Sequence, residues 1–193
     1  MNHCSDCGSP VVQGIPAGDN RERHICPQCG QVHYLNPKLV SGCVPQWRGQ
    51  VLLCRRAIQP RRNYWTIPAG FLELGESLPE AAAREALEEA CTTVKIGRLF
   101  AMIDVVEAGQ VHVMYSAHLV DGTYGVGEES LEVGLFDPDQ IPWRDLAFPS
   151  VRFTLERFVA ELPDKLDQSS QVYTIALGSD AGHNLAGWSR GGS

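Results

Sequence analysis

The sequence predicts a mixed α/β sandwich preceded by a small cysteine-rich module. Four cysteines fall within the first 29 residues as two C-x2-C pairs. Beyond Pro37, segments with strand-like alternation surround one helical segment and precede a second. Because one helix interrupts the strands and another follows them, the pattern favours a mixed α/β sandwich over an all-β or all-α domain.

The composition is that of an ordinary globular protein, with 44% hydrophobic and 20% charged residues. Its 193 residues fit one medium domain, or one medium domain and a small one. The net charge of −7 argues against a nucleic-acid scaffold, so a nucleic-acid partner is not expected. No apolar run approaches the roughly 18 residues of a membrane span, and the first residues are too polar for a signal peptide. We therefore expect a cytoplasmic protein with no membrane partner.

The two C-x2-C pairs are separated by eighteen residues, which is a zinc-binding spacing. Gly8 and Gly30 follow the pairs and would let the backbone fold under the metal. Two disulfides or four idle thiols are the alternatives, and disulfides fit poorly with a chain that shows no leader. The predicted structural Zn²⁺ ligands are Cys4, Cys7, Cys26 and Cys29.

A ribbon of this size cannot build much core, so zinc would stabilise its fold. Its lone basic cluster, Arg21 to His24, contains Glu22 and is a weak signal for a nucleic-acid finger. A structural or dimer-forming role is favoured. The remaining cysteines lie in apolar or helical contexts and are predicted to be buried thiols: Cys43, Cys54 and Cys91.

The chain is predicted to divide into a ribbon (1–36), a main domain (37–165) and a C-terminal strand with a flexible tail (166–193). Strand-like segments start at Leu39, Gln50, Lys95 and Gln110, and the last of them alternates most clearly. The turn sequences "WRGQ" and "EAGQ" suggest hairpins. In the C-terminal segment, "QVYTIAL" is a candidate strand, and the Gly- and Ser-rich stretch from Gly178 is predicted to be loose.

Helices are predicted from Pro79 to Ala90 and from Pro149 to Leu162, the first starting at a capping box of Ser77 and Glu80. At 100° per residue, the first helix has one apolar arc. That arc comprises Ala82, Ala83, Ala86, Leu87 and Ala90. A separate acidic arc comprises Glu85, Glu88 and Glu89.

Like charges one turn apart destabilise a helix by a few tenths of a kcal/mol, so the acidic arc needs a reason. It is either a solvated face or a site for hard divalent cations, which prefer carboxylate oxygens. The helix contains no Lys to interleave with its glutamates, which favours the metal. The preceding loop carries Gly70 and Gly75 and could present backbone groups to a metal or a phosphate.

The stretch from Gly70 to Thr92 resembles the signature of the Nudix hydrolases, G-x5-E-x7-R-E-U-x-E-E-x-G-U, where U is apolar. The matching positions are Gly70, Glu76, Arg84, Glu85, Ala86, Glu88 and Glu89. Cys91 and Thr92 depart, standing where the family has Gly and an aliphatic residue. Because that Gly ends the helix in a left-handed cap, Cys91 is expected either to cost about 1 kcal/mol or to end the helix differently.

A zinc ribbon before such a domain also resembles the NADH diphosphatases, but their S-Q-P-W-P-F-P-x-S element is missing here. The chain is more similar to the ribbon-bearing plant FAD and ADP-ribose diphosphatases, through "NPKLVSGC", "VLLCRRAIQP", "WTIPAGFLELGES" and "SLEVGLFDPDQIP". This resemblance implies a mixed β-sheet between helices, often a homodimer. It also implies hydrolysis of the diphosphate bond of FAD, ADP-ribose or a similar nucleoside diphosphate derivative.

The resemblance implies catalytic Mg²⁺ or Mn²⁺, with Glu85 and Glu89 as the main ligands. Glu88 and the carbonyl of Ala69 are the further ligands that it implies. Arg84 would orient a carboxylate, and Glu76 would brace the loop. The general base lies in the signature or on a distant loop, where Glu129 is the candidate and Glu128 and Glu132 are its alternatives.

Binding of the substrate is assigned to two groups of residues. Five arginines, Arg48, Arg55, Arg56, Arg61 and Arg62, crowd fifteen residues, and some could pair with phosphates, Arg55 and Arg56 foremost. Aromatic side chains that flank the signature loop could stack a base or flavin or belong to the core: Tyr64, Trp65 and Phe71. A nucleotide-binding regulator without hydrolysis is the alternative function. The intact acids and the lack of a basic DNA-binding module oppose it.

Overall fold

The structure is a computed structural model of the chain that describes residues 1–162 and 171–178. The chain forms two compact units, Met1–Pro37 and Lys38–Ser193. In the described ranges no helix is long and apolar enough to cross a membrane. The three predicted segments, 1–36, 37–165 and 166–193, stay a proposal.

The first unit is a small antiparallel sheet of three short strands. These are β1 (Val12–Gly14), β2 (Arg23–Ile25) and β3 (Val32–His33), in the order β1-β2-β3. Each C-x2-C pair lies on a tight turn closed by the following glycine, whose N–H donates to the carbonyl of the first cysteine. These bonds join Gly8 to Cys4 at 3.0 Å and Gly30 to Cys26 at 2.9 Å. Both glycines have positive φ, of 73° and 77°, which explains why glycine stands there.

The second unit is built on one mixed sheet. Its strands are β4 (Lys38–Trp47), β5 (Gln50–Arg56), β6 (Trp65–Thr66), β7 (Ala69–Phe71), β8 (Val94–Val105), β9 (Gln110–Leu119), β10 (Ser130–Phe136) and β11 (Tyr173–Leu177). The order is β10-β5-β4-β9-β8-β11, with β6 beside β5 and β7 beside β4. β4 runs parallel to β9 and β8 parallel to β11, whereas the other pairs are antiparallel.

The two helices, α1 (Leu78–Ala90) and α2 (Pro149–Glu161), cover opposite faces of this sheet. Cys43 of β4 packs with Ala82 and Ala86 of α1. The next residue, Val44, belongs to the larger core that contains Leu155 and Phe158 of α2. Because successive side chains of a strand point to opposite faces, the helices sandwich the sheet. The predicted mixed α/β sandwich is therefore confirmed.

The predicted turns and long strands are where the sequence places them. Arg48 and Gly49 both have positive φ, of 51° and 85°, and make the two-residue hairpin between β4 and β5. The "EAGQ" turn ends at Gly109, with φ of 58°, between β8 and β9. The short strands β6 and β7 and the edge strand β10 were not predicted. Two of them are too short to show periodicity.

The C-terminal candidate strand is present as β11, at the edge of the main sheet beside β8. Tyr173 donates its hydroxyl to Glu161 of α2 at 2.8 Å. Arg98 of β8 pairs with the same carboxylate and also donates to the carbonyl of Gln171. The predicted loose tail after Gly178 lies outside the described residues.

Candidate active site

Arg84 ties helix α1 to the loop that precedes it. Its Nε and Nη2 atoms donate to the two carboxylate oxygens of Glu76 at 3.0 and 2.8 Å. Nη2 also reaches the carbonyl of Phe71 at 3.1 Å. Glu76 in turn accepts the backbone N–H of Glu73 at 2.7 Å, and the guanidinium holds its pKa below the usual range. The signature loop is thus held in one shape by a bidentate ion pair.

The same guanidinium sits between two glutamates of the acidic arc. Its Nη1 donates to Glu85 at 2.7 Å and to Glu88 at 3.0 Å. This contact offsets part of the like-charge repulsion expected within the helix. Arg84 therefore contacts three carboxylates at once, one of them in the bidentate geometry that the forked guanidinium of arginine allows.

Position 70 requires glycine, because the Glu85 carboxyl group fills the space that a side chain there would occupy. A Cβ built on Gly70 would overlap the Glu85 carboxyl group. Any larger residue would push that carboxylate away from the loop. The close contact with Glu85 therefore explains the glycine at this position of the signature. Backbone conformation is not the reason, because the φ angle of Gly70 does not lie in the left-handed region.

The acidic arc is mostly buried, and here the predicted faces of α1 need correction. Glu85 is only 8% exposed and Glu89 6%, and they share the buried face with Ala82 and Ala86. Leu87 was placed on the apolar face, but it is 55% exposed. Helical periodicity placed Leu87 on the apolar arc and the glutamates on a separate arc, whereas in the structure the carboxylates of Glu85 and Glu89 face the signature loop and β7.

Burial changes the ionisation of both carboxylates. Desolvation raises the pKa of Glu85 above its usual range. It raises the pKa of Glu89 to about 8, and the negative charges of Glu85 and Glu129 add to the effect. The charge of Arg56 and the backbone of Ala69 act in the opposite direction. A proton thus occupies Glu89 at neutral pH unless a cation replaces it.

One buried carboxylate oxygen of the acidic arc lacks a bonding partner in the described part of the chain. Glu89 Oε2 is buried, and within the described ranges no group hydrogen-bonds to it. Buried carboxylate oxygens are ordinarily paired, so an orphan of this kind needs an explanation. A hard divalent cation would provide one, because Mg²⁺ and Mn²⁺ prefer carboxylate oxygen ligands. The donor set fits such an ion. The carboxylate oxygens of these glutamates lie farther apart than the Sγ atoms of the ribbon. Among the described residues, the four ribbon cysteines are the one group of possible metal ligands whose ligand atoms all lie within 4.8 Å of one another.

The loop of residues 125–130 docks on the carboxyl end of α1. The backbone N–H groups of Gly125 and Gly127 donate to the carbonyls of Ala90 and Glu89 at 2.8 and 3.2 Å. The hydroxyl of Ser130 donates to the Glu89 carbonyl at 2.7 Å. A Cβ on Gly127 would overlap the Glu88 carbonyl. These bonds satisfy helix-end carbonyls and fix the loop that carries Glu128 and Glu129.

The helix ends in a left-handed cap although the signature glycine is absent. Cys91 has φ of 46° and ψ of 37°, and its N–H donates to the carbonyl of Leu87 at 2.9 Å. The hydroxyl of Thr92 donates to the carbonyl of Thr123 at 2.7 Å, so the second departure adds a contact. Cys91 is exposed, which corrects the prediction of a buried thiol, whereas Cys43 and Cys54 are buried as predicted.

These groups line one cavity of about 700 Å³, which we call the acidic cavity. Its charged lining residues are Arg56, Glu73, Glu85, Glu88, Glu89, Glu128 and Glu129. Ala69, Gly70 and Phe71 of β7 form another wall. The structure therefore brings the three glutamates of the acidic arc, Ala69 and the distant candidate base to one place, whereas Glu76 and Arg84 do not line this cavity. Glu132 lies outside, on β10, where it pairs with Arg55 at 3.3 Å.

The predicted substrate-binding residues divide into two groups. Arg56 lines the acidic cavity, with Nε donating to the Pro60 carbonyl at 2.9 Å and the guanidinium 5.2 Å from the Phe148 ring centre. Phe71 also lines it and is exposed. Arg55 instead donates to the carbonyl of Asn63 at 3.1 Å, besides its pairing with Glu132.

The two remaining aromatic candidates do not line this cavity. Trp65 packs edge-on against Phe136 with ring centres 4.9 Å apart, as part of the core. Tyr64 lies under the guanidinium of Arg61, 5.4 Å from it. The core interpretation therefore holds for Trp65, because its position on β6 turns it toward β10. Sequence spacing alone could not show this, since β6 was not recognised.

The four ribbon cysteines have the geometry of a zinc site. All four Sγ atoms lie within 4.8 Å of one another, with Cys4 to Cys29 at 3.7 Å and Cys7 to Cys26 at 3.5 Å. Thiolates about 2.3 Å from a tetrahedral zinc would lie about 3.8 Å apart. A disulfide needs about 2.05 Å, and all seven cysteines are free. The donor set is complete, so the site leaves no coordination position for a substrate.

Comparison with known proteins identifies the family to which the chain belongs. Residues 37–158 match the family model described as NUDIX domain, and residues 2–35 match the zinc-ribbon model described as Nudix N-terminal. The crystal structure of a NUDIX hydrolase from Nitrosomonas europaea is 44% identical, with a TM-score of 0.86, covering 92% of this chain and 100% of that one. The chain therefore belongs to the Nudix hydrolase family and carries the family's N-terminal zinc-ribbon module.

Two curated relatives with named activities match part of the chain. An NAD-capped RNA hydrolase from Chromobacterium violaceum is 36% identical over 94 residues, which is 48% of this chain and 33% of that protein. An ADP-ribose pyrophosphatase from Methanocaldococcus jannaschii is 24% identical over 113 residues, which is 56% of this chain and 67% of that protein. The chain thus matches about a third of the length of the NAD-capped RNA hydrolase.

Proposed function

We propose that this protein is a metal-dependent diphosphohydrolase that cleaves the diphosphate bond of a nucleoside diphosphate derivative and releases a nucleoside monophosphate. The observation that carries the proposal is the pair Glu85 and Glu89, buried at one wall of a cavity, with one Glu89 oxygen lacking any partner in the described structure. Buried carboxylates without a partner cost stability, so they persist where a function requires them.

Glu85 and Glu89 are the proposed main ligands of Mg²⁺ or Mn²⁺, with Glu88 and the Ala69 carbonyl as further ligands. When bound, such a cation supplies charge neutralisation at the phosphates and a Lewis acid for the attacked phosphorus. Metal binding displaces the proton that burial holds on Glu89, so affinity rises as the pH approaches about 8.

The protein side chains position the remaining participants. Arg84 holds Glu85 and Glu88, and Glu76 fixes Arg84 against the loop. Glu129 is proposed to take a proton from the attacking water, whose oxygen forms a bond to phosphorus while the anhydride P–O bond breaks. Arg56 lines the same cavity and supplies positive charge opposite the glutamates, where it can pair with a phosphate oxygen.

The substrate is proposed to be a dinucleotide-like diphosphate such as FAD, ADP-ribose or NADH. The activities named for the two curated relatives support derivatives of NAD and ADP-ribose, whereas FAD rests on the sequence resemblance alone. An NADH diphosphatase is therefore the second candidate. Homodimer formation and a cytoplasmic location stay predictions from the sequence.

A substrate panel tests the proposal. The full-length protein is incubated with FAD, ADP-ribose, NADH and NAD⁺, each with Mg²⁺ or Mn²⁺, and the released monophosphate is quantified. Metal-dependent release from at least one compound is expected. Binding of a dinucleotide without any release would instead favour the nucleotide-binding regulator.

A further inference from the structure

A second cavity, of about 720 Å³, adjoins the acidic cavity. We call it the apolar cavity, because its walls include Val40, Met114, Phe148, Val151 and Leu177. The two cavities share five lining residues: Arg56, Pro60, Ala69, Gly70 and Phe71. A molecule with its diphosphate in the acidic cavity can therefore extend past β7 into the apolar one.

One wall of the apolar cavity is strand β11. Ile175, Ala176 and Leu177 line it, and they lie beyond residue 158, where the match to the NUDIX domain model ends. The strand is held in register by its parallel pairing with β8. The hydrogen bond from Tyr173 to the buried Glu161 also anchors it to α2. A segment outside the matched domain thus limits the size of this cavity.

The apolar cavity also holds a small polar network. The ring nitrogens of His112 lie 3.1 Å from the Ser150 hydroxyl and 2.9 Å from the Gln110 side-chain oxygen. Burial lowers the pKa of His112, so the ring is neutral at neutral pH. Since Gln110 Oε1 can only accept, Nε2 of the histidine carries the proton and Nδ1 accepts from Ser150.

This arrangement leaves one donor of the network available. With its oxygen turned to His112, Gln110 presents its amide N–H₂, which has no hydrogen-bond partner in the described parts of the chain. Gln110 lines the apolar cavity. An amide held in one orientation by a neutral histidine is a donor suited to a carbonyl oxygen or ring nitrogen of a planar ring. Apolar walls with a few fixed polar groups are the usual make-up of a small-molecule site of this volume.

We propose that the apolar cavity binds a planar heteroaromatic ring of the dinucleotide substrate, that Gln110 donates a hydrogen bond to that ring, and that β11 sets the size of ring accepted. The inference rests on the proposed function, because it takes the diphosphate to lie in the acidic cavity. It concerns the non-reacting part of the substrate. We take the ring contacts to be equally strong in the ground state and in the transition state, so their loss should raise KM and change ring selectivity while kcat is kept.

Two substitutions test it against a matched control. Leu177→Trp adds bulk to the cavity from β11, because Leu177 pairs with Val105 and lies on the same sheet face as Gln110. Gln110→Leu keeps a similar volume but removes the donor. Thr174→Trp introduces the same side chain three residues earlier on the same strand, at an exposed position on the opposite face and outside both cavities. For the best compound of the panel, Leu177→Trp should raise KM tenfold or more with kcat within about twofold of wild type. Gln110→Leu should raise KM three- to tenfold, and Thr174→Trp should match wild type.

The two proposals fail in different ways. If wild type hydrolyses the substrate and Leu177→Trp has an unchanged KM, the ring lies elsewhere and the inference is overturned while the proposed function stands. If wild type hydrolyses nothing, the proposed function fails, and Kd values of FAD, ADP-ribose and NADH by calorimetry replace KM. Weaker binding to Leu177→Trp than to Thr174→Trp then supports the apolar cavity as a ring site, and equal binding overturns it.

Discussion

Arg84 and Glu76 form a bidentate ion pair, at 3.0 and 2.8 Å, that joins helix α1 to the loop before it. The same guanidinium also donates to Glu85 and Glu88. One side chain therefore connects the loop to two carboxylates of the proposed metal site. Its loss should affect activity through their positions, because Arg84 itself need not contact the substrate.

Arg84→Lys should keep the charge but lose the bidentate contact, because an ammonium concentrates its donors on one nitrogen and lacks the planar fork of a guanidinium. We expect kcat to fall tenfold or more and the protein to lose about 1–3 kcal/mol, the usual value for hydrogen bonds to charged groups. Arg152→Lys is the control, since Arg152 makes an exposed pair with Glu156 at 2.9 Å. Equal kcat for both variants would show that Arg84 positions nothing in the active site.

Glu129→Gln tests the proposed general base. Glu129 lines the acidic cavity, and its negative charge contributes to the raised pKa values of Glu85 and Glu89. Loss of a general base typically costs roughly 10²–10⁴ in rate, so kcat should fall by at least 10² while the Mg²⁺ concentration for half-maximal activity changes little. Glu132→Gln, on β10 outside the acidic cavity, should retain wild-type kcat. A larger effect at Glu128 than at Glu129 would transfer the role to Glu128.

Stability in the absence of Mg²⁺ and Mn²⁺ should depend on pH through Glu89. Its pKa is raised from an ordinary 4.5 to about 8 in the folded protein, so the folded state binds more protons than the unfolded state between these values. Stability therefore falls as pH rises from about 4.5 to 8. Glu89→Gln removes this dependence and should be more stable than wild type at pH 8.5 by up to about 5 kcal/mol, because each pKa unit corresponds to about 1.4 kcal/mol.

Thermal unfolding at pH 6.0, 7.0 and 8.5, with the ribbon zinc retained, measures this difference. Glu156→Gln is the control, because Glu156 is exposed on α2 and should follow wild type. A Glu89→Gln protein that loses stability with pH as steeply as wild type would show that Glu89 is already charged at neutral pH.

Zinc is expected at one ion per chain, bound only by the ribbon thiols. Cys26→Ser removes a buried ligand and should abolish stoichiometric zinc, while the Nudix domain keeps its metal-dependent hydrolysis because the four thiolates leave no site for substrate. Elemental analysis together with kcat tests this. Full zinc content in Cys26→Ser would exclude the four-cysteine site, and loss of hydrolysis in a folded variant would contradict a purely structural zinc.

The long elements could be predicted because their periodicity is long enough to be counted. The strands β4, β5, β8 and β9 and both helices fall within a few residues of their predicted bounds. The short strands β6 and β7 form only beside β5 and β4, so nothing local marks them. This is why Trp65 was a candidate for stacking, although pairing on β6 sends it into the core.

In the candidate site, too, the sequence predicted some features, whereas others depend on the tertiary structure. The signature spacing indicated which glutamates share a helix face, but only the tertiary structure shows that Glu85 and Glu89 are buried while Glu88 is exposed. The docking of Gly127 on the Glu89 carbonyl joins positions 38 residues apart in sequence, with no local pattern to reveal it. Its one sequence signal is the run of glycines in "GVGEES". For Cys91 the sequence left two alternatives open, and only the structure shows that it takes the αL conformation, which cysteine rarely adopts.

The most direct test of a cation site at this helix is kcat for Glu85→Gln and Glu89→Gln at saturating Mg²⁺, beside Glu156→Gln. Glutamine keeps the size of each side chain but removes the charge that would hold the cation. Both variants should lose roughly 10² or more in kcat, on the scale of one preorganised electrostatic contact, while Glu156→Gln matches wild type. If Glu85→Gln and Glu89→Gln both keep most of their activity, these glutamates do not hold the catalytic metal.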